Sequence, residues 1–247
     1  MATPRLARLR FVCLLVLFTA ALDAATILNE NFDGVFNPST NGWVRVNNST
    51  GPGTTGWFQG NPGVFAAQSG QPSSYIAANY QNAAFGGDIS DWLITPVVNL
   101  ENGETLSFFT RTESGGPPDR LEVRLSLNGS SANAGSTTTS VGDFTTVLLT
   151  LNGTLSSGGY PVNWTPYTLS VQGLSSAAQG RFGFRYTVTN TAVNGDYIGI
   201  DSVIISSAVP VFVPEPDTFA SAGLVNILCI GFALWDRLPF RKRRTTK

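Results

Sequence analysis

The chain has 247 residues, no histidine, two cysteines and a formal net charge of −1. That average conceals a partition: between Ala25 and Pro210 six arginines meet twelve acidic residues, a net of −6 without any lysine, and the remaining basic residues gather at the two ends. With no histidine anywhere and both cysteines outside this body, Ser-His-Asp and Cys-His nucleophile systems, the usual zinc sets and an internal disulfide are excluded, and the basic footprint of a nucleic-acid partner is missing.

Residues 1–24 read as a signal peptide. Arg5, Arg8 and Arg10 precede an apolar run from Phe11 to Leu22, and Ala24 and Ala25 follow it. The run is about a dozen residues, short of a bilayer span. An uncleaved anchor helix is the alternative, and Leu22 departs from the small residue usual at the −3 position. No small pair leads into Cys13 as lipidation requires.

Residues 25–208 lack helical periodicity and carry short apolar runs between turn residues. In chain order the runs are 92–98, 105–110, 121–127, 144–151, 167–171, 181–188 and 197–205. In 121–127 the residues Leu121, Val123, Leu125 and Leu127 share one face, and Glu122 and Arg124 the other, as a solvated surface pair. Phe182, Phe184, Tyr186 and Val188 alternate in the same way, and Pro96 must interrupt its strand or sit at an edge. Turn pairs such as Asn102-Gly103, Asn128-Gly129, Asn152-Gly153 and Asn194-Gly195 separate the runs. This spacing predicts an all-β fold, a single antiparallel β-sandwich of jelly-roll type. The Ser/Thr/Ala/Gly-rich stretch 130–142 reads as a long mobile loop.

After Val209 the pattern changes. Residues 209–217 are a Pro-rich, extended linker containing Pro214, Glu215 and Pro216. Residues 218–235 carry no charge, which predicts a transmembrane helix, and 236–247 form a basic tail with Arg241, Lys242, Arg243 and Arg244 as a stop-transfer cluster. Motif, apolar helix and basic end in this order resemble the PEP-CTERM sorting signal. The resemblance implies export, anchoring in the inner membrane with the body outside, and processing by an exosortase that releases the protein to the surface or extracellular matrix. An ordinary single-pass tail anchor is the alternative.

The body carries a second resemblance. Asn29-Glu-Asn-Phe-Asp-Gly34 with Gly42-Trp43, Gly53-Thr-Thr-Gly-Trp57, Asp91-Trp-Leu-Ile-Thr-Pro96, Asp119-Arg-Leu-Glu-Val-Arg124 and Ile198-Gly-Ile-Asp-Ser-Val203 resemble the choice-of-anchor J domain, related to cleaved-adhesin and MAM-like jelly rolls. It implies an extracellular, adhesive or matrix module without naming a ligand. A structural calcium often joins the first and last strands in jelly rolls of this kind, which points to Glu30, Asp33 and Asp201 as its ligands.

Two further chemistries arise from the residues themselves. The acid pairs Asp88/Asp91 and Asp119/Glu122 suit glycoside hydrolysis by type, but they read better as turn and surface residues. Trp57 and Tyr80, in Gly/Asn/Gln-rich loops, are the candidates for stacking on sugar rings of an exopolysaccharide. The sequence therefore predicts a non-catalytic surface or matrix protein, with a carbohydrate-binding module as the alternative and a polysaccharide hydrolase behind both.

Overall fold

The computed structural model describes residues 24–35, 42–51 and 53–208, which fall within one unit of the chain, Met1–Val209. Their strands are β1 (Thr26–Glu30), β2 (Val44–Asn47), β3 (Phe58–Gln59), β4 (Ile76–Asn79), β5 (Ile89–Ile94), β6 (Val98–Leu100), β7 (Thr105–Thr112), β8 (Leu121–Ser126), β9 (Thr146–Leu151), β10 (Thr165–Ser170), β11 (Ala178–Val188) and β12 (Tyr197–Ser206). Most of the expected signal peptide and everything expected of 209–247 lie outside the described residues: Pro214, Glu215 and Pro216, the 218–235 segment, and Arg241, Lys242, Arg243 and Arg244. Among the described residues no helix is long and apolar enough to cross a membrane.

The predicted sandwich is formed. One sheet runs β10-β7-β12-β4-β3 with β1 also on β12, and the other runs β2-β5-β11-β8-β9 with β6 also on β11. Every pair is antiparallel. Alternation decides which face is inside. Phe182, Phe184, Tyr186 and Val188 of β11 meet Leu106 and Phe108 of β7 in one core. The Phe108 and Phe184 rings meet edge to face, 5.1 Å between centroids and 82° between planes. Burying each such ring contributes about 1.5–3 kcal/mol. Leu127, predicted on the inner face, lies beyond the end of β8 and is 44% exposed.

Both outer faces are covered by the chain itself. On the first sheet, residues 60–75 fold back so that Phe65, Tyr75 and Tyr197 form a second cluster with Trp164 against it. Gly199 makes the fit possible, since a Cβ there would lie 2.9 Å from both Phe65 and Trp164. The Trp164 indole N–H donates to the Ala66 carbonyl at 2.9 Å, and the Arg111 guanidinium stands 4.3 Å over the Phe65 ring.

On the second sheet the cover is 127–144, which contains the stretch 130–142 expected to be a mobile loop. Its small residues let it lie flat on the sheet, where Ala134 and Phe144 are buried against Trp92 and Ile94. The Arg185 guanidinium reaches the Thr138 carbonyl, and the Asp143 N–H donates to Asn133 at 2.9 Å. The cover also changes the Glu122–Arg124 pair. Expected in open water, Glu122 is bridged by Arg124 at 2.7 Å and Arg185 at 3.1 Å, with its side chain 15% exposed.

The two poles of the sandwich differ. The chain enters and leaves at one: Ser207 donates its N–H to the Ala25 carbonyl at 2.8 Å, and the Ala25 N–H donates to Ser207 Oγ at 2.8 Å. The other pole is built from residues 48–51 and 53–56 and the turns 80–88, 113–120, 152–161 and 189–196, which lie at the opposite end of β12. Ten residues of strand separate them, about 33 Å.

Candidate functional site

The sequence nominates Trp57 and Tyr80 together, and the structure separates them. Trp57 is 2% exposed and belongs to the main core, so its ring has no free face for a ligand. Its indole nitrogen is buried without a hydrogen-bond partner, and its carbonyl accepts from Arg45 Nη1 at 2.6 Å. Trp57 is a core residue. Tyr80 is 47% exposed at the pole opposite Ala25 and Ser207.

Glu30, Asp33 and Asp201 do not converge either. Among the described residues no three acidic side chains are placed to hold one cation. Each carboxylate already has protein donors. Asp201 Oδ2 accepts from the N–H groups of Gln68 at 2.8 Å and Ser69 at 3.2 Å, and Oδ1 accepts from Ser202 N–H at 2.6 Å. Asp33 accepts from the Ser74 hydroxyl at 2.6 Å and Glu30 from Phe32 N–H at 2.8 Å. N–H groups aimed at a carboxylate repel a cation, so this donor set does not fit calcium. Asp201 instead clamps the 60–75 cover at a bulge in β12. The register shift between Asp201 and Ile204 turns Ser202 to a φ of 51°.

The acids considered for hydrolysis are likewise engaged. Asp88 accepts from Asn190 N–H at 2.9 Å, and Glu122 holds its two arginines. Asp119 is 1% exposed and receives the Tyr186 hydroxyl at 2.6 Å and Asp196 N–H at 2.7 Å on Oδ1, and the Thr112 hydroxyl on Oδ2. Burial pushes its carboxyl upward from the ordinary value despite these donors. Next to it Asp196 is pushed up to about 6, by burial first and then by Asp119 and Glu113. Asp119 thus ties the turn 113–120 to β7, β11 and the start of β12, and presents no free oxygen to a substrate.

One water-facing feature of the pole is aromatic. A cavity of about 240 Å³ is lined by Thr54, Tyr80, Gln81, Ala83, Ala84 and Phe85. Phe85 is 87% exposed, and nearby in the sequence order of turns Val193 is 60% exposed. No charged side chain lines the cavity.

The backbone beneath these rings is held tightly. Residues Tyr80–Asn82 form one 3-10 turn, entered through Asn79, whose side chain accepts from Gln81 N–H at 3.0 Å while Asn82 Oδ1 accepts from Asn79 N–H at 3.4 Å. Thr55 Oγ1 lies 2.8 Å from Asn79 Oδ1 and 2.7 Å from Asn82 Oδ1. Thr54 and Thr55 donate their N–H groups to the Gln81 carbonyl at 3.0 and 3.2 Å. That approach needs Gly53, because a Cβ there would lie 2.0 Å from the same carbonyl. Below, Asn82 Nδ2 donates to buried Asp91 at 2.6 Å. On the other flank Thr191 donates N–H to Gly87 and its hydroxyl to Ala84, both at 2.9 Å.

No family model matches the chain, and no curated protein matches it. Among solved structures it is similar to the K3 cleaved adhesin domain of Lys-gingipain from Porphyromonas gingivalis, with 18% identity, coverage of 74% of this chain and 100% of that one, and a TM-score of 0.50. The K1 domain of the same protein gives 22% identity, 73% and 97% coverage and a TM-score of 0.47. A family 22 carbohydrate binding module from Clostridium thermocellum gives 13%, 76% and 98%, and 0.41. The K3 likeness shows a shared fold.

Phe85 is the residue that sequence reasoning misses. Its signal was a lone aromatic in Ala83-Ala84-Phe85-Gly86-Gly87, with no apolar partner at strand spacing on either side.

Proposed function

We propose that this chain is an exported, non-catalytic surface or matrix protein, in which a sandwich of cleaved-adhesin fold carries an adhesive tip. The observation that carries the reading is the placement of Tyr80 and Phe85, exposed on a braced turn at the pole away from Ala25 and Ser207. The fold shared with a cleaved adhesin domain supports the same reading.

The remaining parts of the proposal come from the sequence. Residues 1–24 direct export and 25–208 form the working domain. The linker 209–217 with Pro214, Glu215 and Pro216, the 218–235 membrane segment and the 236–247 basic tail make a PEP-CTERM-type address. An exosortase cleaves near the motif, so the protein passes from the inner membrane to the cell surface or matrix. Mass spectrometry of the surface-exposed form tests this: its last residue should lie before Thr218, and an intact Lys247 end would refute processing. Deleting 209–247 should shift the protein from the surface to the soluble exported fraction.

A second reading, a carbohydrate-binding module acting on exopolysaccharide, is favoured by the uncharged, aromatic lining of the cavity. Hydrolysis has no such support, since Asp88, Asp91, Asp119 and Glu122 all serve protein donors.

A further inference from the structure

We infer that the cavity lined by Tyr80 and Phe85 is a binding site for a neutral polysaccharide, a ligand class that rests on, and narrows, the adhesive reading above. Three features of the site set the class.

The first is the form of the apolar surface. Phe85 is 87% exposed and Tyr80 47%, yet both flank one cavity of about 240 Å³ and not a broad flat patch. A stable protein partner buries about 800 Å² on each side, more than two rings and a small hollow offer. A pyranose ring suits this size: its C–H face packs on an aromatic face, and its rim presents hydroxyls.

The second is what surrounds the rings. Thr54 offers a hydroxyl and Gln81 a side-chain amide, and neither the Thr54 hydroxyl nor the Gln81 amide nitrogen has a protein partner among the described residues. These are neutral donors and acceptors of the type that pair with sugar hydroxyls. With no arginine in the lining and a net of −6 on the body, a polyanionic chain meets repulsion without a local counter-charge.

The third is rigidity. Asn79, Asn82, Thr55 and Asp91 fix the turn from below, and Thr191 fixes its far side. A backbone fixed before binding loses little freedom on binding, which a weak, repetitive ligand requires.

The test is affinity electrophoresis of the full-length protein in mild detergent through gels containing xylan, galactomannan or a β-glucan, against alginate and polygalacturonate. Retardation by at least one neutral polymer is expected, and Phe85→Ala and Tyr80→Ala should each weaken it about tenfold. Phe85 is almost wholly exposed, so its replacement leaves the fold intact; Gln81→Ala provides an independent second probe of the same site. Retardation by the acidic polymers alone, retardation insensitive to all three substitutions, or none in any gel would overturn the inference. Surface display measured in parallel keeps the two proposals apart: unchanged display without polysaccharide binding removes the ligand class and leaves the adhesive reading standing.

Discussion

Asn82 donates its side-chain amide to the Asp91 carboxylate at 2.6 Å, and this bond joins the turn that carries Tyr80 to the interior strand β5. Asp91 is 1% exposed, and burial pushes its carboxyl well above the ordinary carboxylate range, ahead of the opposing pull of Trp92 N–H and Arg45. Burial thus disfavours the charged form, and an amide of the same shape can take its place. Asp91→Asn should change stability little, because its oxygen still accepts from Asn82. Asn82→Ala leaves a buried acid and the Asn79 turn unpaired, and should cost about 1–3 kcal/mol in urea denaturation.

Asp196 makes stability depend on pH. Its folded value, about 6, lies above the ordinary 3.8, so the folded protein holds the proton more tightly. The contribution is fully present below about 4 and is lost as pH rises through about 6. The melting temperature should be higher at pH 5 than at pH 7.5. Asp196→Asn should raise the value at pH 7.5 and flatten this part of the profile; an unchanged profile would refute the assignment.

Asp201 separates a clamp from a metal site. If its three N–H donors are its whole function, adding a chelator or calcium leaves the melting temperature unmoved. Asp201→Ala should lower stability by about 1–3 kcal/mol and speed proteolysis within 60–75, since Gln68 and Ser69 lose their acceptor. A calcium-dependent rise in the unmodified protein would reverse this conclusion.

Trp57 tests the opposite assignment. As a core residue it should be indispensable to folding and irrelevant to binding. Trp57→Ala should cost about 3–5 kcal/mol. Trp57→Phe keeps most of the ring, removes the unpaired indole N–H, and should leave polysaccharide retardation unchanged.

What was legible in the sequence follows from strand length. β7, β8, β11 and β12 run six to eleven residues with clear alternation or continuous apolar character, and each was visible in advance. β3, β4 and β6 span two to four residues, and Ile76-Ala-Ala-Asn79 is too short and too small-sided to show a period. The site was half legible for a related reason. Trp57 and Tyr80 sit in the same kind of Gly/Asn-rich sequence, and their burial is decided by which sheet passes beneath them. Asp201 looked like a ligand because the donors of Gln68 and Ser69 are more than 130 residues away and reach it only through the fold.

The pairing of β1 with β12 gives the molecule a mechanical direction. Ala25 and Ser207 are neighbours, so pulling on the two ends peels β1 from β12 one hydrogen bond after another. A load applied at Tyr80 and drawn out through Ala208 runs lengthwise along β12 instead. It is resisted at once by the ladders to β7, β4 and β1. Load between Tyr80 and Ser206 therefore falls along the axis in which the sheets shear most reluctantly.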